Sequence, residues 1–238
     1  MKIVRFVSKR KGPLYGVYDP RRPEVANPIE GDPWNPRSVG DREEQIERLL
    51  APVAPVNILA LGINYRKHGE ETALSAPSEP ILFLKATSSV IGPGHPIELP
   101  AAGPDQVDYE AELAVVIGKT AKNITPEEAP DYIFGYTCAN DVTARDLQKS
   151  DGQWSRAKGF DTFCPLGPWI ETDLDPMDQP LVTRLDGEIV QDGHTSDMVH
   201  GVAELISHAS KAFTLLPGDV ILTGTPAGVG PVEVGQRV

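Results

Sequence analysis

Apolar positions recur along this chain mostly as short runs and alternations, and the elements they predict are mainly strands. Ile3 to Val7 reads as one strand, and Tyr15 to Tyr18 as another after a Gly12-Pro13 turn. Leu113 to Ile117 is an unbroken apolar run, the mark of a buried strand, and Ile133 to Asn140 reads as a further one. Leu181 to Leu185, then Asp186-Gly187, then Glu188 to Val190 spells a hairpin with a type I′ turn. Convincing helical spacing occurs once: Val199, Val202, Leu205, Ile206, Ala209 and Phe213 predict a helix over 196–213, closed by Pro217-Gly218. Thr125-Pro126-Glu127-Glu128 predicts a second helix start, with Thr125 as N-cap and Glu128 in the capping-box position. Residues 42–50 stay open, because Asp41 with Glu44 could cap a helix and Leu49-Leu50-Ala51 could equally run into a strand.

Composition sharpens this picture. Of 238 residues 23 are proline and 22 glycine, enough turns to disfavour a helical bundle. The net charge of −12 is unevenly spread: residues 1–50 balance to +2 and the remainder to −14. The step falls beside Pro52 and Pro55, which divides the chain into a small N-terminal β domain, 1–55, and a larger domain, 56–238. So acidic a chain is not expected to bind nucleic acid, which needs a basic footprint. Cys138 and Cys164 have no zinc or disulfide spacing, and the first residues do not read as a signal peptide, so a cytoplasmic location is expected. No apolar run approaches the ~18 residues a membrane span needs. Phosphate-loop, dinucleotide, serine-hydrolase and zincin motifs are absent.

The most informative stretch is Asp108-Tyr109-Glu110-Ala111-Glu112-Leu113. On a strand, Glu110 and Glu112 share a face and lead into the apolar run. Acids entering a core need a proton, a cation or basic partners; the alternative is a solvated strand end. Asp141 follows the 133–140 strand and opens a polar loop. Three carboxylates without cysteine suit a hard divalent cation such as Mg²⁺ or Mn²⁺.

His68 and Glu71 lie three apart, neighbours on one helical face, in Gly62-Ile63-Asn64-Tyr65-Arg66-Lys67-His68-Gly69-Glu70-Glu71. A carboxylate orients a histidine and raises its basicity, as a general base requires; the bland alternative is surface chemistry. Residues 69–80 are polar and small, as in a mobile lid. Arg145 and Lys158 could hold an anionic substrate or merely neutralise the acids. The turn Thr223-Gly224-Thr225-Pro226-Ala227-Gly228 could offer hydroxyl and N–H donors to a carboxylate, or be only a tight loop.

Taken in order, these segments resemble the fumarylacetoacetate hydrolase family over about residues 56–230. The likeness rests on Gly62-x-Asn64-Tyr65-x-x-His68-x-x-Glu71, Phe83-Leu84-Lys85, Tyr109-Glu110-x-Glu112-Leu113, Asn140-Asp141-x-x-x-Arg145-Asp146-x-Gln148, Lys158-Gly159-x-Asp161 and Pro217-Gly218-Asp219 with Thr223-Gly224-Thr225-Pro226-x-Gly228. The N-terminal part resembles the small extra domain of the bacterial diketo-acid isomerase and decarboxylase branch. The resemblance implies an α+β, mainly β fold built on a rolled mixed sheet, and a homodimer. It makes Glu110, Glu112 and Asp141 the metal ligands, for Mg²⁺ or Mn²⁺, and His68 with Glu71 a proton-transfer pair on a lid. Lys158 would add positive charge at the reacting oxygen, and Arg145, Gln148 and Thr225 would line the substrate site. Ala86 stands where relatives often carry proline. Relatives also continue beyond the position of Val238 through a further strand and a Gly-rich tail, so an altered sheet edge is expected if the chain ends there.

The function implied is metal-dependent chemistry on a small 2-oxo acid or enol diacid through an enolate. Isomerisation or decarboxylation of a 2-hydroxyhepta-2,4-diene-1,7-dioate-type substrate comes first. Acylpyruvate hydrolysis and oxaloacetate decarboxylation are the alternatives within enzymes, and a metal-binding protein without turnover is the alternative outside them.

Overall fold

The fold is described from a computed structural model, which places residues 1–73 and 77–238. It is mainly β. Five strands open it: β1 (Lys2–Ser8), β2 (Gly12–Tyr18), β3 (Val25–Asp32), β4 (Asn35–Val39) and β5 (Glu44–Leu49). β1 pairs with β2, β2 with β3, β3 with β5, and β5 with β1, so these four close into a ring. Val4, Phe6, Tyr18 and Ala26 fill it. The open choice at 42–50 falls to a strand. The Gly12-Pro13 pair lies within β2 rather than before it.

β6 (Ile58–Leu61), α1 (Arg66–Glu71), β7 (Leu82–Lys85), β8 (Val90–Ile91), β9 (Val107–Tyr109), β10 (Ala111–Ile117) and β11 (Ile133–Asn140) come next. They are followed by β12 (Thr143–Ala144), α2 (Arg145–Asp151), α3 (Ser155–Gly159), β13 (Cys164–Glu171), β14 (Pro180–Leu185), β15 (Glu188–His194), α4 (Val202–Ala212), β16 (Val220–Leu222) and β17 (Gly230–Pro231). A single sheet runs from the ring through β1, β13, β11, β10, β16, β6 and β7. It is mixed, since β16 runs parallel to β6 while its other ladder, with β10, is antiparallel.

Side chains alternate across a strand, and here both faces are covered. Leu113, Val115 and Ile117 pack with Leu59, Leu61 and the Leu205–Ile206–Ala209 face of α4. Ala114 and Val116 pack on the other side with Ile58, Ala60, Val220 and Ile170. β10 is therefore the central plank, and the Glu110–Glu112 segment leads straight into it.

Two predicted helices are corrected. The Thr125 start yields only a turn and a short 3₁₀ stretch at Ala129–Tyr132 before β11 begins. Half of the capping box forms, with Thr125 N–H donating to Glu128 Oε2 at 2.8 Å. The helix expected from residue 196 starts at Val202 and ends at Ala212. Its early part is pulled away because the Val199 N–H donates to the Asn64 carbonyl and the His200 N–H to Asn64 Oδ1. The predicted hairpin forms, with Asp186 and Gly187 both at positive φ as a type I′ turn requires. The lid expected over 69–80 includes residues 74–76, which lie outside the described residues.

Candidate active site

β10 and β11 pair antiparallel, with Ala111 opposite Asn140, and this register brings Glu110 and Glu112 beside Asp141. All three are buried, and one oxygen of each lies within 4.8 Å of the others. At that distance each pair of like charges repels by about 3 kcal/mol at an effective dielectric near 20. A solvated strand end is thereby excluded for these acids.

Three cations answer the acids, Lys158 and Arg145 from later in the chain and Lys85 from β7, which is separated from β10 in the sheet by β16 and β6. Lys158, on α3, donates to Glu110 Oε2 at 3.0 Å, to Asp141 Oδ2 at 2.6 Å and to Thr143 Oγ1 at 2.8 Å. Its three ammonium hydrogens are thus committed within the cluster. Lys85, at the end of β7, donates to Asp141 Oδ1 at 2.5 Å and also to the Lys158 carbonyl. Arg145 donates to Glu110 Oε1 at 2.6 Å, to Asp108 Oδ2 at 2.8 Å and to Gln148 Oε1 at 2.7 Å. With its carbonyl oxygen engaged by Arg145, Gln148 presents its amide hydrogens elsewhere.

The cluster therefore sets four acids, Asp108, Glu110, Glu112 and Asp141, against three cations. Glu112 is the acid without a cationic partner among the described residues; its Oε2 accepts the Gly224 N–H at 2.6 Å. Burial, then the Asp141 and Glu110 charges, push its carboxyl well above the ordinary range. Burial would raise Glu110 too, but Lys158 and Arg145 outweigh it and hold that carboxyl at about 2. Lys158 loses basicity through burial and regains more from Asp141 and Glu110, so it stays charged. Surplus negative charge on three converging, all-oxygen donors fits a hard divalent cation at Glu110, Glu112 and Asp141.

The cluster opens into a cavity of about 420 Å³. His68, Arg145, Gln148, Lys158 and Thr225 reach its wall with Glu110 and Glu112, whereas Asp141 lies fully buried behind Glu110 and Glu112 and Glu71 stands behind His68. His68 is buried on α1, and its Nδ1 lies 3.1 Å from Glu71 Oε2. A carboxylate only accepts, so Nδ1 carries the proton in the neutral ring and Nε2 keeps a lone pair. The Gly228 N–H donates to Glu71 Oε1 at 3.1 Å and anchors the acid in turn.

Several contributors had no assigned part in the sequence reading. Lys85 stands in the sequence only as part of the Phe83-Leu84-Lys85 motif, with no role attached. Thr143 carried no signal. Trp154 forms an apolar wall of the cavity and packs edge-on to Phe83 at 5.3 Å. A Cβ on Gly62 would lie 3.2 Å from the Trp154 ring. A second cavity, of about 310 Å³, is lined by Arg5, Arg48 and His95 among others and has no carboxylate in its wall.

Comparison with known proteins places this geometry. Residues 57–238 match the model for the fumarylacetoacetate (FAA) hydrolase C-terminal domain. The chain belongs to the fumarylacetoacetate hydrolase family. Residues 1–60 match the model described as Rv2993c-like, N-terminal. A solved family structure, 5-carboxymethyl-2-hydroxymuconate delta-isomerase from Mycobacterium smegmatis, is 45% identical and superposes with a TM-score of 0.92 over 99% of this chain and 92% of its own. A mitochondrial oxaloacetate tautomerase of Xenopus laevis is 50% identical over 188 residues, 76% of this chain and 59% of that protein. A 2,4-didehydro-3-deoxy-L-rhamnonate hydrolase of a Sphingomonas strain is 45% identical over 185 residues, 76% of this chain and 65% of that protein.

Proposed function

We propose that this fumarylacetoacetate hydrolase family member is a divalent-metal-dependent enzyme acting on a small anionic 2-oxo acid or its enol. It would work as a tautomerase or decarboxylase of the 2-hydroxyhepta-2,4-diene-1,7-dioate type. The observation that carries the reading is a cluster of three buried carboxylates, two of which, Glu110 and Glu112, share one cavity with a carboxylate-oriented histidine. The solved relative named as a delta-isomerase and the relative named as a tautomerase support the choice of reaction.

Glu110, Glu112 and Asp141 would hold Mg²⁺ or Mn²⁺. Such an ion supplies Lewis-acid stabilisation of negative charge on the substrate's C2 oxygen. His68 Nε2 takes or returns the proton at carbon, while Glu71 keeps the ring oriented and stabilises it when charged. Gln148 donates its free amide hydrogens to an acid group of the substrate, and Thr225 donates its hydroxyl. Arg145 and Lys158 act through charge, since their hydrogen bonds to Glu110 tie both cations beside the reacting oxygen. Trp154 and the aliphatic wall exclude water from the carbon that is protonated.

Acylpyruvate hydrolysis is the second reading, favoured by the relative named as a hydrolase. In that case the same histidine would activate water. A homodimer in the cytoplasm completes the proposal, and sedimentation velocity tests the dimer. Oxaloacetate, acylpyruvates and 2-hydroxy-dienedioates assayed with and without Mg²⁺ decide the reaction. The proposal expects turnover of at least one that EDTA abolishes; absence of EDTA-sensitive turnover on all three would leave a metal-binding protein.

A further inference from the structure

β15 carries a buried amide whose every hydrogen-bonding group is in use. The Gln191 Oε1 accepts the Ala111 N–H at 2.9 Å and the Thr183 hydroxyl at 2.7 Å. Its Nε2 donates to the Pro226 carbonyl at 2.9 Å and to Thr225 Oγ1 at 2.9 Å. The amide cannot be flipped. A backbone N–H only donates and a proline carbonyl only accepts, so Oε1 must face Ala111 and Nε2 must face Pro226. The Gln191 hydrogen then points at Thr225 Oγ1 and makes that hydroxyl an acceptor on its protein side.

A hydroxyl has one hydrogen, and among the described residues the Thr225 hydroxyl donates to no protein group. Thr225 lines the cavity, so its hydrogen is left for whatever lies there. β15 is seated tightly against this turn: a Cβ on Gly193 would come within 2.4 Å of Pro226 Cβ, and one on Gly228 within 2.3 Å of the Val190 carbonyl. We infer that Gln191 is a positioning residue that polarises Thr225, making its hydroxyl an obligate donor to an oxyanion or carboxylate in the cavity. The inference rests on the reading of that cavity as the substrate site.

The test uses oxalate, a small dianion, titrated by calorimetry into the Mg²⁺-saturated protein. Gln191→Glu keeps both bonds to Oε1, loses the bond to the Pro226 carbonyl as well as the one to Thr225 Oγ1, and in its ionised form draws the Thr225 hydrogen toward the new carboxylate. Gln191→Leu removes the donor without adding charge. Each should weaken oxalate about tenfold in the native background, the worth of one hydrogen bond to an anion. In a Thr225→Val background the Gln191→Leu effect should shrink to within about twofold. Any loss that Gln191→Glu causes by charge repulsion alone should remain. Thr225→Ser, which keeps the hydroxyl, should bind oxalate as the native protein does. Mg²⁺ affinity should stay within about twofold in Gln191→Glu, whose bond to Ala111 survives.

Equal Gln191 effects in both Thr225 backgrounds would overturn the inference and leave the substrate site intact. Native oxalate affinity in Thr225→Val would overturn the inference alone, whereas no oxalate binding by the native Mg²⁺-saturated protein would overturn the reading of the cavity on which it rests. Parallel losses of Mg²⁺ and oxalate in Gln191→Glu would show that Gln191 only braces the strand carrying the acids.

Discussion

The Gly224 N–H donates to Glu112 Oε2 at 2.6 Å, tying the turn after β16 to the acid that lacks a cation. Gly224 sits at φ +93°, and a Cβ there would meet Asn64 Cβ at 2.8 Å. Asn64 cannot retreat freely, because its amide donates to the Thr223 and His200 carbonyls. Gly224→Ala should therefore strain or move the turn, with a stability loss of about 1–3 kcal/mol. Mg²⁺ affinity should fall as the Glu112 anchor is displaced. Urea unfolding and calorimetric titration check the two effects; native values in both would show that the turn yields without disturbing Glu112.

Glu112 also predicts a pH dependence. Its carboxyl is raised in the folded protein by burial and by Asp141 and Glu110, whereas in the unfolded chain it titrates normally. A raised folded value means the stability linked to this group is present below the unfolded value and is lost as pH rises through the folded one. In the chelator-treated protein, the native chain should fall behind Glu112→Gln in melting temperature as pH climbs above the ordinary glutamate range. Added Mg²⁺ should reverse the order for the native chain alone, since the ion favours the ionised acid. Parallel melting curves across pH would contradict the account.

Legibility in the sequence followed the range of the signal. Glu110 and Glu112 could be read locally, because alternation on a strand puts them on one face. Asp141 could be read from its place after an apolar strand, and His68 with Glu71 from helical spacing. Lys85 could not: its partner Asp141 lies 56 positions away, and only the path of the sheet brings β7 to it. The same holds for Gln191, whose four partners come from three separate segments. The start of α4 departs from the pattern for a related reason: the apolar spacing continues through Val199, but the Val199 and His200 amides are drawn to Asn64. The mainly β fold needed no such long-range knowledge, because strand runs and turn residues announce it directly.

His68→Ala should keep Mg²⁺ affinity, since the ring bonds Glu71 and none of Glu110, Glu112 and Asp141, and should lower kcat by about 10²–10⁴-fold, the usual worth of a general acid–base. Glu71→Ala should lower kcat less, because the ring remains and loses only its orientation. The loss should be accompanied by greater mobility of the 226–228 turn, whose Gly228 N–H loses its acceptor. Steady-state kinetics with hydrogen exchange measures both. An unchanged kcat in His68→Ala would remove the ring from the mechanism.

Lys85→Met gives the sharpest view of the charge balance. Lys85 and Asp141 both have fully buried side chains, and their pairing is 2.5 Å long. Removing one partner of a buried pair leaves the other uncompensated, at a cost of about 3–5 kcal/mol. Lys158 still contacts Asp141, so the lower end of that range is expected in the metal-free protein. The four-to-three imbalance of acids over cations would become four to two, and a divalent ion restores more in that setting than in the native one. Mg²⁺ should therefore add more to the unfolding free energy of Lys85→Met than to that of the native chain, measured by urea titration with and without the ion. Equal increments would mean that the cluster does not share its charge as a unit, and that Lys85 serves packing rather than electrostatics.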